Sequence, residues 1–234
     1  PILRSKSMPQ RCWPELPTGQ RWQWRLAMLP AGWLHAASLA WPGSGQPLWW
    51  LQLVSMAVLA WLVRPAASAG SGLRTVRWQR GAILGGVFGT AWLAGTFWWL
   101  FISMHSYGGL PAPLAVAAVL GLAAFLASYY AAALALFCRY APVHRGGGAL
   151  FFGALWLLAE LARCIWWSGF PWGAGGYAHV DGPLAVLARH MGVYGISAVA
   201  AALAMGMVPV RAADLRSVRW WAVLLAIGGL LAWA

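Results

Sequence analysis

Long apolar runs alternate with short polar ones along this chain, and the polar stretches are alternately basic and uncharged. The apolar runs cover residues 26–41, 48–63, 81–104, 114–137, 149–167, 191–208 and 220–234. Each predicts a membrane helix. Leu26–Trp41 is about 24 Å long at 1.5 Å per residue, short for a hydrocarbon core of roughly 30 Å, and Pro30 is expected to bend it. Pro42-Gly43-Ser44-Gly45-Gln46-Pro47 reads as a turn, so that 26–41 and 48–63 form a hairpin of spans. The run 81–104 is long enough for a full span, and its Gly85 and Gly89, four residues apart, allow close helix approach. Leu184–His190 is expected as a short interfacial helix ahead of the sixth span. The architecture predicted is an all-α integral membrane protein: a bundle of about seven transmembrane helices behind a basic lead-in, residues 1–25.

Composition agrees. The chain of 234 residues is 62% hydrophobic and 9% charged, with mean hydropathy +0.66. A soluble domain carries about 25% charged residues, so this chain cannot cover a water-facing surface. Its 19 Trp suit the two membrane interfaces, where an indole keeps its ring in apolar surroundings and its N–H wet.

The net charge of +12 is distributed by side. Arg4, Lys6, Arg11, Arg21 and Arg25 lie in the lead-in. Arg64, Arg74, Arg77 and Arg80 follow the second run, Arg139 and Arg145 the fourth, and Arg211, Arg216 and Arg219 the sixth. Only Arg163 and Arg189 lie elsewhere, and the polar segments after the first and third runs hold no Lys or Arg. The positive-inside rule therefore predicts a cytoplasmic N-terminus and a C-terminus on the outer side. The basic residues belong to separate loops and form no single stripe, so no nucleic-acid partner is expected. Residue 1 is Pro and residue 234 falls inside an apolar run, which reads as a chain cut at both ends; no cleavable signal peptide is expected.

Candidate chemistry concentrates in residues 156–183, WLLAELARCIWWSGFPWGAGGYAHVDGP. Two of the four acidic residues of the chain are here, Glu160 and Asp181. Glu160 lies seven residues before Trp167, about 10 Å below the outer helix end. A lone carboxylate at the centre of a span costs about 2.5–3.5 kcal/mol. Arg163 is three residues on and shares its helix face. Two readings stand: an intrahelical pair satisfied within itself, with Arg163 snorkelling outward, or a pair lining a wet or headgroup-accessible cavity. Gly169-Phe170-Pro171-Trp172 is a turn, since Pro171 biases Phe170 away from helix; it can serve as an aromatic anchor or as part of a site. His105 and His179 are expected as solvated loop histidines, and His35 and His190 as structural or interfacial. Cys12, Cys138 and Cys164 have neither paired nor metal-type spacing. No metal-ligand cluster, phosphate-cradling loop or Ser/His/Asp set is present, so no metal and no cofactor are expected. From these residues alone no reaction follows.

The stretch resembles the bacterial apolipoprotein N-acyltransferases, inner-membrane enzymes that complete lipoprotein maturation. The matching residues are ALWLLAELAR followed by SGFPW, then Gly175-Gly176-Tyr177, Asp181-Gly182-Pro183 and Met191-Gly192-Val193, with GTAWLAGTFWWLFISMHSYGGLP upstream and Ala40-Trp41-Pro42 as a looser fit. The likeness extends over about residues 26–234.

The resemblance implies a bundle of eight spans with a periplasmic nitrilase-like domain between the seventh and eighth. A Glu–Lys–Cys triad in that domain would take an acyl group from a phospholipid as a thioester. It would then pass the group to the N-terminal diacylglyceryl-cysteine of an apolipoprotein. Lys6 is the single lysine here and none of the three cysteines has the nucleophile's context. The expectation is therefore the membrane half of such an enzyme, without the nitrilase-like domain, with no catalytic residue in this chain and no activity by itself. Carried over, the resemblance makes Gly169, Phe170, Pro171 and Trp172 substrate-site candidates with Glu160 and Arg163 in support, and makes phospholipid and apolipoprotein the partners. The competing class is a non-enzymatic polytopic protein: a channel, transporter or assembly subunit.

Overall fold

The computed structural model describes residues 26–68, 74–142 and 144–208. The lead-in 1–25 and the run 220–234 lie outside them, as do Lys6, Cys12 and the loop charges Arg211, Arg216 and Arg219. Among the described residues the regular structure is entirely helical: α1 Met28–Leu39, α2 Trp49–Ser68, α3 Arg74–Thr96, α4 Trp98–Ile102, α5 Ala112–Tyr140, α6 Arg145–Ile165 and α7 Ala188–Met207. Ala112–Tyr140, Gly146–Ile165 and Pro183–Met207 are each long and apolar enough to cross a membrane, and the bent pair Arg77–Thr96 and Trp98–Tyr107 makes a fourth if taken as one span. The protein is an all-α membrane protein.

Small residues set the helix spacing. Lipid is as apolar as a leucine, so helices in a bilayer gain mainly from close van der Waals contact. α3 presents Gly81, Gly85 and Gly89 to α5. A methyl group at Gly81 would lie 2.4 Å from the Leu134 carbonyl oxygen, one at Gly85 2.7 Å from that of Tyr130, and one at Gly89 3.0 Å from the Ala127 Cβ. The pair foreseen at 85 and 89 is thus the outer part of a three-glycine seam. Gly32 seats α1 on α3 in the same way, with Phe88 O 2.5 Å from its would-be Cβ, and Gly153 seats α6 on α7 against Ala198 O at 2.7 Å.

Pro30 lies in the first turn of α1, which begins at Met28. The third run is bent. Thr96 Oγ1 donates back to the Trp92 carbonyl at 3.0 Å, a bond that loosens a helix. Phe97 then leaves helical geometry at φ −100°, ψ 16°, and the two parts meet at 55°. The second part ends in a π-turn, Ser103–Tyr107. Finally, the segment expected as an interfacial helix over 184–190 is a 3-10 turn, Pro183–Leu187, that runs directly into α7.

The first two helices are joined as expected. Trp41 N–H donates to Gln46 O at 2.9 Å and Leu48 N–H to Ser38 O at 2.8 Å, closing the hairpin. At the bundle centre the rings of His35, Phe88, Trp92, Tyr130, Phe152 and Trp156 pack together, all buried.

Candidate functional site

α6 delivers Trp156, Glu160 and Arg163 on one face, at the spacing of four and three residues that aligns helix side chains. All three are buried. The first reading, a pair satisfied within itself with Arg163 snorkelling outward, is corrected. Glu160 and Arg163 share no hydrogen bond, and neither reaches the surface. Each is tied instead to the loop that follows α6. Glu160 Oε1 accepts from the Gly175 N–H at 3.0 Å and from the Ser197 hydroxyl of α7 at 2.9 Å. Arg163 Nη1 donates to the Trp172 carbonyl at 2.5 Å, and the Arg163 carbonyl accepts from Phe170 N–H at 2.8 Å. The two charges therefore pin the loop from within, Arg163 at Trp172 and Glu160 at Gly175. Charge-assisted bonds of this kind are the stronger ones.

The loop itself is built from conformations that few residues tolerate. Trp167 is left-handed at φ 55°, ψ 49°, an outlier for so bulky a residue, and its ring is 82% exposed. Gly169 follows at φ 72°. Phe170 then turns inward, half-buried, against Phe97 at 4.9 Å between ring centroids. Phe97 is the residue at which the third span breaks, so the notch left by that break holds the loop. Pro171 is exposed. Trp172 is 55% exposed and lies 5.2 Å from Trp99 beyond the break. Of the six residues singled out from the sequence, Pro171 and Trp172 thus form the outer surface, Phe170 anchors it inward on Phe97, Gly169 permits the turn, and Glu160 and Arg163 hold it from behind.

Sequence reasoning missed Gln52, Ser197 and the role of His179. His179 is not a solvated loop residue. It is fully buried, and its Nε2 donates to Gln52 Oε1 at 2.7 Å, while Gln52 Nε2 donates to the Gly175 carbonyl. Gly175 thereby has both backbone groups engaged, and a Cβ there would lie 2.6 Å from Ser197 Oγ. Gly176 has even less room, 2.0 Å from Val193 O. The two glycines let His179 fold back under the loop. Gln52 and Ser197 carry a weak signal in the sequence, a polar residue between apolar neighbours in a helix, which many spans contain.

The other expected positions are scattered. His35 is structural: it is buried, with Nδ1 3.4 Å from Ser55 Oγ and its ring 4.3 Å from that of Trp92. His105 is exposed beside Leu110 O, and His190 is exposed and accepts from Arg189 Nε at 2.9 Å. Cys138 is buried in the core. Cys164 donates to Tyr194 OH at 3.1 Å. Among the described residues no group of three or more His, Cys, Asp or Glu is placed to hold a metal ion.

Burial pushes the His179 imidazole down to about 4 from its ordinary 6.5. It is neutral in the folded protein, whereas an unfolded chain takes up a proton as pH falls below 6.5. The stability that depends on this group is complete above pH 6.5 and is lost as pH falls towards 4. Melting curves between pH 7.5 and 4 should shift downward over that window, and the shift should shrink in His179→Gln. An unchanged shift in that variant would assign the acid sensitivity elsewhere.

Comparison with known proteins now bears on this site. The family described as "Apolipoprotein N-acyltransferase N-terminal domain" matches residues 21–206. The chain belongs to the apolipoprotein N-acyltransferase family. The match takes in α1 to α6, the whole loop from Trp166 to Leu187, and α7 up to its last residue. A relative from Verminephrobacter eiseniae, named apolipoprotein N-acyltransferase, is 68% identical over 213 residues, covering 91% of this chain and 39% of the relative. One of the same name from Ralstonia nicotianae is 47% identical over 187 residues, covering 79% of this chain and 34% of the relative. A putative apolipoprotein N-acyltransferase from Bordetella parapertussis is 36% identical over 194 residues, 78% of this chain and 34% of the relative. The chain thus spans well under half the length of these curated N-acyltransferases.

Proposed function

We propose that this chain forms the membrane part of an apolipoprotein N-acyltransferase of the bacterial inner membrane. That enzyme would move an acyl chain from a phospholipid to the N-terminal diacylglyceryl-cysteine of an apolipoprotein. The family match across residues 21–206 carries the reading and favours it over a channel, transporter or assembly subunit. Within it, Gly169–Trp172 is the surface that meets the acyl donor or acceptor, and Glu160 and Arg163 support that surface without touching substrate. The exposed Pro171 and Trp172 rings and the buried fixing points behind them support this division. The transfer needs a nucleophilic thiol, and the chain's described cysteines are engaged in packing: Cys138 in the core and Cys164 on Tyr194. The resemblance assigns that thiol to a nitrilase-like domain outside residues 1–234.

The test joins this chain to the remaining length of the Verminephrobacter eiseniae relative and expresses it in cells depleted of their own N-acyltransferase. The joined protein should add one acyl group to lipoprotein N-termini, read by mass, and residues 1–234 alone should add none. In the joined protein Trp172→Ala should lower acylation at least severalfold, while folded yield and melting temperature stay near wild type. The fixing bond to Arg163 uses the Trp172 backbone carbonyl and survives that change. Full acylation in Trp172→Ala would leave the ring as an interfacial anchor only.

The orientation proposed puts the N-terminus in the cytoplasm and the C-terminus in the periplasm, on the strength of the loop charges. Reporter insertions can be placed where an added group meets nothing, at Gly45, Gly109 and Gly146. The first two should report periplasm and the third cytoplasm; the opposite pattern would overturn the orientation.

A further inference from the structure

The end of the bundle opposite the Gly169–Trp172 loop carries a second concentration of charge. α5 ends there at Tyr140 and α6 begins there at Arg145, whereas α6 reaches the loop only at Ile165. Three helix ends meet at Cys138 of α5. A Cβ on Gly81 of α3 would lie 2.8 Å from its Sγ, and its thiol donates to the Val63 carbonyl of α2 at 3.9 Å. The arginines follow from that meeting. Arg77 precedes Gly81 by four residues and so extends the glycine seam of α3 by one turn, with Arg80 three residues on. Both are partly buried, and both lie near enough to Cys138 for their charges to act on its thiol. Arg139 follows Cys138, is exposed, and donates from Nε to the Tyr140 hydroxyl at 2.8 Å. Arg64 follows Val63 and ties α2 to the end of α7, with Nη1 2.8 Å from Val208 O.

We propose that this end of the bundle binds the headgroup of an anionic phospholipid, held by Arg77 and Arg80 of α3 with Arg139 of α5. In the orientation proposed above, that lipid belongs to the cytoplasmic leaflet. The charge count supports an anionic guest. The chain has 16 Lys and Arg against four Asp and Glu. Two of the acids, Glu160 and Asp181, lie beneath or within the opposite loop. The other two, Glu15 and Asp214, lie outside the described residues. Even with both of them committed here, Arg64, Arg77, Arg80 and Arg139 keep a net positive charge, whatever pairs they form within the chain. A phosphate suits guanidinium groups, whose planar donors take two oxygens at once. The surroundings favour a lipid phosphate over one from bulk water. Trp61, Trp78 and Tyr140 are exposed within a turn of Arg64, Arg77 and Arg139, and exposed indole and phenol rings sit at headgroup level. A zwitterionic headgroup brings its own ammonium and offers no net charge. An anionic one does, and each Arg near such a surface adds about fivefold to binding. The inference uses neither the loop nor acyl transfer, and this lipid is separate from any acyl donor at Gly169–Trp172.

Native mass spectrometry tests it, with the full chain titrated in neutral detergent with phosphatidylglycerol or phosphatidylcholine and the bound lipid counted. Phosphatidylglycerol should bind severalfold more tightly. Arg77→Gln and Arg80→Gln should each weaken it about fivefold and leave phosphatidylcholine unchanged. Arg139→Gln, at an exposed position that the fold tolerates, should weaken it too, which keeps the test decisive if the α3 variants fold poorly. Arg189→Gln removes an exposed charge at the other end of the bundle, in the first turn of α7, and should change neither lipid. Equal affinity for the two lipids would overturn the proposal, as would unchanged phosphatidylglycerol binding in Arg139→Gln. An equal loss in Arg189→Gln would overturn it as well, because net charge rather than this site would then set the binding. Displacement of phosphatidylglycerol by inorganic phosphate at equal concentration would show a site for a soluble anion and overturn the lipid assignment.

Discussion

Glu160→Ala should cost the fold about 3–5 kcal/mol, the range found when one member of a buried charge pair is removed. From the sequence a smaller cost would follow, since Arg163 lies close enough to the helix end to snorkel. The structure removes that escape. Arg163 is fully buried, held to the Trp172 carbonyl, and roofed by the loop it supports. Loss of the carboxylate leaves an uncompensated guanidinium and strips the Gly175 N–H and the Ser197 hydroxyl of their acceptor. Each stranded donor adds about 1–3 kcal/mol of desolvation. Glu160→Gln keeps an acceptor for Gly175 and Ser197 and should recover part of the loss, but not the part due to Arg163. Folded yield in membranes and melting temperature in detergent should rank wild type above Gln above Ala. A wild-type melting curve for Glu160→Ala would sink this account of the site.

Particular residues show where the sequence was sufficient. The all-helical membrane fold was legible because a bilayer demands long apolar helices, so composition and length leave few alternatives. Gly85 and Gly89 announced their helix contact because four-residue spacing places them on one face. Glu160 and Arg163 announced themselves because charge inside an apolar run is costly and has to be used. The break at Phe97 was invisible: the run GTFWWLFI stays apolar through it, and hydropathy carries no information on direction. Its cause is a side-chain-to-backbone bond at Thr96, which depends on a rotamer rather than on composition. His179 was misread for a related reason. Its position in a loop suggests water, but Gly175 and Gly176 let that loop fold inward, and the partner that receives it, Gln52, lies 127 residues away. Contacts at such separation are set by how the helices assemble, and no local pattern reports them.

The same reasoning identifies the loop's least replaceable residue. Gly169→Ala should dismantle the turn. Its backbone sits at φ 72°, ψ 146°, close to a region that is essentially restricted to glycine and costs about 1–3 kcal/mol for other residues. A Cβ there would also lie 2.0 Å from the Cys164 carbonyl oxygen, a backbone atom in the last turn of α6 that no side-chain adjustment can move. The chain must shift at 169, and with it the two bonds that flank it, Phe170 N–H to Arg163 O and Arg163 Nη1 to Trp172 O. Gly109→Ala supplies the control: that residue also has positive φ, at 69°, but nothing within 4 Å of its would-be Cβ, so it pays the dihedral cost without the clash. Gly169→Ala should therefore lower the melting temperature clearly more than Gly109→Ala. It should also change the near-ultraviolet circular dichroism, because Trp166, Trp167 and Trp172 all sit on the displaced segment. Equal losses in the two variants would mean that the turn has room to spare, and that α6 does not fix the loop through its last carbonyls.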